Sequence, residues 1–209
     1  MVRRLFRRKL VTATPLRPGL ITEHNGISAD NSPLLRVRAD GHLVCAVSYS
    51  KGPRLGPTIV FLHEGLGSIA QWKHFPDTLA SAAGCNALVY ERWGHGGSDR
   101  LDGLRQADFM EREAESALPQ ILDAFGLENV ILFGHSDGGS IALLFAARYP
   151  ERTLGVITEA AHVFVEDVSL AGVRTAVERF ETSDMEKRLS LYHGDNTWSM
   201  FRGLSLIHI

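Results

Sequence analysis

The 209-residue chain has little cysteine, no long apolar run and no strong charge of either sign. Two cysteines, Cys45 and Cys85, stand in apolar stretches far apart in sequence, which excludes a disulfide scaffold and the paired spacing of a zinc or redox motif. They read as free buried thiols, and with them a reducing, cytoplasmic setting is expected. No stretch approaches the ~18 consecutive apolar residues of a membrane span. Lys and Arg number 22 against 24 Asp and Glu. Five of the bases, Arg3, Arg4, Arg7, Arg8 and Lys9, lie in the first nine residues, so the remainder is mildly acidic. An acidic body argues against nucleic acid as a partner. The basic start lacks the apolar core of a signal peptide, because Thr12, Thr14, Pro15, Arg17 and Pro18 interrupt it. Residues 1–32 are therefore expected to be a disordered or mistranslated leader, with folded structure starting near Pro33.

What is present is ordinary globular material, 44% hydrophobic and 22% charged. Residues 34–39 and 42–49 alternate around Asp40-Gly41, the pattern of a hairpin closed by a two-residue turn. Short apolar runs rich in β-branched residues follow at 58–63, 86–91, 129–135 and 154–160 and read as buried strands. Helical stretches separate them at 71–83, 108–125 (with Pro119 as a kink or break) and 138–149. Residues 166–193 look helical and charged, with Val173, Ala176, Val177 and Phe180 at helical spacing. Strand alternating with helix means an α/β fold with a mostly parallel sheet, entered from an antiparallel hairpin.

Gly134-His135-Ser136-Asp137-Gly138-Gly139 stands directly between a strand and a helix. So sharp a turn forces its middle residue into strained backbone angles and needs small neighbours where strand and helix approach. It would present the Ser136 hydroxyl at the carboxyl end of the sheet, above a helix N-terminus suited to developing negative charge. His135 is expected to pack away from that hydroxyl. A second Gly-rich turn, His63-Glu64-Gly65-Leu66-Gly67-Ser68, follows the strand 58–63. Acyl transfer needs two oxyanion donors; the Asp137 N–H is one candidate, and the N–H of Gly65 or Leu66 the other. Glu64 would oppose an oxyanion unless it points away, and that orientation is expected. A third loop, Arg92-Trp93-Gly94-His95-Gly96-Gly97-Ser98, lacks the Lys-Ser/Thr of a phosphate loop and reads as a turn.

Taken in order, HEGLGS, RWGHGGSD and GHSDGGS resemble the α/β-hydrolase superfamily, nearest to serine esterases and C–C-bond hydrolases with a helical cap. The resemblance covers about 34–203. It implies a core over 33–162, a cap beginning at 163, Ser136 as nucleophile, a small-molecule substrate, and neither cofactor nor metal. It also implies a triad acid and then a histidine after Ser136 in chain order. His162 is out of place as a base, His193 reads as part of a solvated helical face, and His208 lies among the last residues. Glu159 is the fallback acid. The triad acid and histidine are expected beyond the chain end. Residues 204–209 read as the translation of a transposon-end sequencing adapter, so the native sequence is expected to stop near Gly203 and the fold to be incomplete at its C-terminus. Trp72, Trp93, His162 and Phe164 are candidate pocket residues. The function implied is hydrolysis of a small ester, thioester, lactone or 1,5-diketone through an acyl-enzyme. The alternatives are a cofactor-free peroxidase or lyase on the same scaffold, and a non-catalytic hydrolase-like binding protein.

Overall fold

The computed structural model describes residues 20–21, 33–49 and 56–205. Its described strands are β1 (Leu20–Ile21), β2 (Leu35–Ala39), β3 (His42–Tyr49), β4 (Thr58–Leu62), β5 (Asn86–Tyr90), β6 (Val130–His135) and β7 (Thr153–Glu159). They form one sheet in the order β1-β2-β3-β5-β4-β6-β7. β5, β4, β6 and β7 run parallel, whereas β1, β2 and β3 join antiparallel. At the β2–β3 turn both Asp40 (φ 47°) and Gly41 (φ 85°) take positive φ, as a two-residue hairpin turn with the sheet's own twist requires. The Asp40 carboxylate then accepts from Arg112 at 2.7 Å and Ser116 at 2.9 Å, which ties the turn to a helix. β1 falls within the stretch expected to be leader; its two residues pair with Arg36 and Val37.

β4, at the centre of the parallel strands, is buried at every position because both sheet faces are covered there. The period of two divides them between two cores. Val60, Leu62, Leu88, Tyr90 and Leu132 face one side, with Leu118, Ile121, Ile141 and Phe145. Ile59, Phe61, Val89 and Phe133 face the other, with Ala80 and Trp72. The covering helices are α1 (Phe75–Ala82), the run α2 (Phe109–Arg112) to α3 (Leu118–Ala124), and α4 (Asp137–Arg148). Pro119 does not break the second of these. A π-helical turn, Glu113–Ala117, joins α2 to α3. Pro119 has no N–H to offer the Glu115 carbonyl, and the Tyr149 hydroxyl donates to that carbonyl at 3.0 Å.

After β7 come α5 (Asp167–Thr182), α6 (Met185–His193) and α7 (Thr197–Ser205). Phe180 and Phe201 stack at 3.8 Å between ring centres, with Leu189 beside them. Leu204, in the expected tail, packs with Met200 and Phe109. Leu66 touches both clusters, so these helices seat on the loop after β4. β7 ends the sheet among the described residues and leaves Leu154 and Ile157 about half exposed. No helix of the described residues is long and apolar enough to cross a membrane. His208 lies outside the described residues.

Candidate active site

β6 runs into α4 through Ser136, whose backbone stands at φ 52°, ψ −119°. A non-glycine residue there costs about 1–3 kcal/mol, which the surrounding structure must offset. Two absent side chains make the turn possible. A Cβ on Gly134 would lie 2.2 Å from the Gly138 carbonyl, and one on Gly138 would lie 2.0 Å from the Leu62 carbonyl. The Ser136 N–H donates to the Glu159 carbonyl at 2.8 Å, which pins the turn to β7. Asp137 opens α4, so its N–H has no partner within the helix. Ser136 is half-buried in the wall of a cavity of about 560 Å³, beside Glu64, Gly65, Leu66, Asp137 and His162, with α5 and α7 closing the far side.

The loop after β4 departs from expectation at Glu64. The residue lines this cavity, and its carboxylate turns back along the loop to accept the Leu66 N–H instead of pointing clear of it. The cause is local. The Gly67 N–H closes a tight turn onto the Glu64 carbonyl at 3.0 Å, which leaves the Leu66 N–H within reach of the side chain two residues back. Burial pushes the Glu64 carboxyl up from its usual range; the Leu66 N–H, Arg92 and His135 pull the other way. Of the two loop residues expected to donate to an oxyanion, Leu66 therefore has its N–H engaged internally. Gly65 lies against Asp137: a Cβ there would sit 3.1 Å from Oδ2.

Arg92 is the residue that sequence reasoning passed over. It is 2% exposed and holds the loop from behind, donating through Nη1 to the His63 carbonyl at 2.8 Å and through Nη2 to the Glu64 carbonyl at 3.1 Å. Nη2 also lies 3.7 Å from the Asp137 carboxylate, whose other oxygen is 3.7 Å from His162 Nε2. A Glu91-Arg92 pair directly after the apolar run Ala87–Tyr90 was the available signal, since a guanidinium is seldom buried without such partners.

Three buried histidines complete the support. His63 Nε2 accepts the Arg92 N–H at 3.1 Å. His95 Nε2 is 3.0 Å from the Gly65 carbonyl. His193, expected on a solvated face, is 2% exposed at the end of α6. Its Nδ1 accepts the Gly96 N–H at 3.0 Å, so the proton sits on Nε2 and goes to the Leu66 carbonyl at 2.9 Å. Burial lowers the pKa of all three. The glycines at 96 and 97 wrap a protein carboxylate. Glu91 accepts from Gly97 at 2.8 Å and Ile69 at 3.1 Å, and burial pushes its carboxyl up to about 7.

Among the candidate pocket residues, His162 lines the cavity with Ser136. Trp72 packs in the core against Phe61, Trp93 stacks on His42 at 3.7 Å, and Phe164 lines a separate hollow. The fallback acid Glu159 is exposed at the end of β7; among the described contacts its carboxylate meets no histidine.

Residues 57–182, more than half of the chain, match the model of the alpha/beta hydrolase fold family. Epoxide hydrolase B of Mycobacterium tuberculosis is 30% identical over 117 residues, 56% of this chain and 32% of that protein. A Bacillus subtilis protein provisionally named 2-succinyl-6-hydroxy-2,4-cyclohexadiene-1-carboxylate synthase is 29% identical over 141 residues, 67% of this chain and 46% of that protein. The chain thus spans less than half the length of these curated relatives. Among solved structures, a carboxylesterase of Nitrososphaera gargenis superposes with a TM-score of 0.63 at 17% identity, over 83% of this chain and 71% of that one. A strand order, a strained strand-to-helix turn and a family match that all coincide place this chain in the alpha/beta hydrolase fold family.

Proposed function

We propose that the protein is a serine-dependent hydrolase in which Ser136 attacks a carbonyl carbon. The observation that carries this is the Ser136 backbone at φ 52° on a helix N-terminus in the cavity wall. The attacking oxygen forms a tetrahedral intermediate whose negative oxygen takes the Asp137 N–H and an N–H of the loop at Gly65 and Leu66. Collapse expels the leaving group with a proton and leaves an acyl-enzyme, which water then hydrolyses. Substrates of this reading are a small ester, thioester, lactone or 1,5-diketone, and the cavity volume falls in the range of small-molecule sites. The reading takes a base and its orienting acid from a longer protein, which the share of the relatives' length that the chain covers supports. A lyase reaction on the same scaffold is the second reading, and the Bacillus subtilis relative is likewise named for a reaction other than hydrolysis, as a synthase.

Fluorophosphonate labelling of the full gene product tests the nucleophile. The label should fall on the peptide that contains Ser136 and vanish in Ser136→Ala. Labelling that persists in Ser136→Ala, or its absence from the unmutated protein, overturns the reading.

A further inference from the structure

We infer that Glu64 is a built-in competitor for the oxyanion site, its carboxylate occupying the Leu66 N–H until a reacting substrate displaces it. The inference rests on Ser136 as nucleophile and adds a regulatory element to that site. Its ground is geometric. Glu64 lines the same cavity as Ser136, and its carboxylate binds the N–H of Leu66, which lines that cavity too. That turn is held from behind, because the Gly65 carbonyl lies on His95, the Leu66 carbonyl on His193 and the Glu64 carbonyl on Arg92. The Leu66 N–H therefore cannot rotate to serve two acceptors, and one anion must leave before another arrives.

Charge sharpens the competition. An oxyanion forming over Ser136 would meet a carboxylate across a mostly apolar cavity, where like charges repel far more than in water. Neutralising Glu64 removes the repulsion and weakens the occupant, because an uncharged oxygen holds the Leu66 N–H less tightly than a carboxylate does. The ionisable groups that face Glu64 are Arg92 beyond β5, His135 at the end of β6 and Asp137 at the start of α4. His162 and Glu166 line the same cavity from the segment after β7. Since burial already raises the Glu64 carboxyl, protonation loosens its hold on the Leu66 N–H as pH falls.

The test is calorimetric binding of the monoanion of methyl benzylphosphonate, a tetrahedral mimic whose charge is constant over the range used. Binding is measured in the Ser136→Ala background, so that no covalent step enters. The parent should bind weakly near neutral pH and more tightly on acidification. Glu64→Gln, nearly isosteric, should bind about tenfold tighter near neutral pH, and Glu64→Gly tighter again, both without the acid dependence. His162→Gln should retain that dependence, which assigns it to Glu64. Should Glu64→Gly fail to fold, Glu64→Gln carries the comparison. Equal affinity in parent and Glu64→Gln, or an acid dependence that survives in Glu64→Gln, overturns the inference. Failure of the nucleophile reading shows separately, as lost Ser136 labelling while the Glu64 effect on binding persists.

Discussion

Replacing His193 with alanine should destabilise the fold by about 3 kcal/mol, although the residue ends a largely polar helix whose inward face otherwise shows only Met185 and Leu189. The imidazole makes a buried hydrogen bond, accepting from Gly96 at 3.0 Å, and a partly buried one, donating to the Leu66 carbonyl at 2.9 Å. Truncation leaves the Gly96 N–H buried without an acceptor, about 1–3 kcal/mol by itself, and loses a second bond of about 1 kcal/mol. Against a typical domain stability of about 5–15 kcal/mol this is a large fraction. The pH dependence supplies a second signature. Burial depresses the folded pKa of His193, while the unfolded chain titrates near the ordinary value of about 6.5. Below that value protons bind the unfolded chain preferentially. The stability is thus present above about pH 6.5 and is lost as pH falls through the folded pKa. His63 and His95 act in the same direction. Glu91, Glu64 and Glu113, whose carboxyls burial raises, act in the opposite direction and do so equally in both proteins, so the signature is the difference: on going from about pH 7.5 to about pH 5.5 in urea denaturation, His193→Ala should lose less stability than the parent. A cost under about 0.5 kcal/mol in His193→Ala, or an acid loss equal to the parent's, refutes the reasoning.

Gly138→Ala should abolish the folded state or cost at least about 4 kcal/mol, because the new Cβ would lie 2.0 Å from a backbone carbonyl that cannot move aside; circular-dichroism melts read this directly. Burial, with the Glu91 charge, pushes the Cys45 thiol up to about 12. At about pH 8 only about one molecule in ten thousand would carry the thiolate, so native protein should resist a disulfide reagent at Cys45 and react once unfolded, followed by mass spectrometry.

Most of the sheet was legible because its determinants are local. Four apolar runs bounded by Gly, Pro and Asn announce β4 to β7, and Asp40-Gly41 announces the hairpin. The elbow was legible for the same reason: the need for small residues at 134 and 138 is a property of one turn. Glu64 was misjudged because its sequence position does not say which way the side chain turns, and a free N–H two residues ahead decided that. His193 was misjudged because its partners are about a hundred or more residues away, at Gly96 and Leu66. Leu20–Ile21 escaped notice because two residues carry no periodicity. The π-helical turn before Pro119 escaped for another reason: the Tyr149 hydroxyl that satisfies the freed carbonyl comes from beyond the next helix.

The bond from His193 to the Leu66 carbonyl also bears on how this protein could be re-engineered. Helices laid over a hydrolase sheet invite exchange between relatives as interchangeable parts that bring new substrate ranges. Here such a graft would remove the residue that fixes the peptide after Leu66. A donor helix without an imidazole in the place of His193 would deliver new pocket walls and a loosened loop together. Altered selectivity would then come with slower chemistry, unless the graft boundary were drawn to retain the last turn of α6.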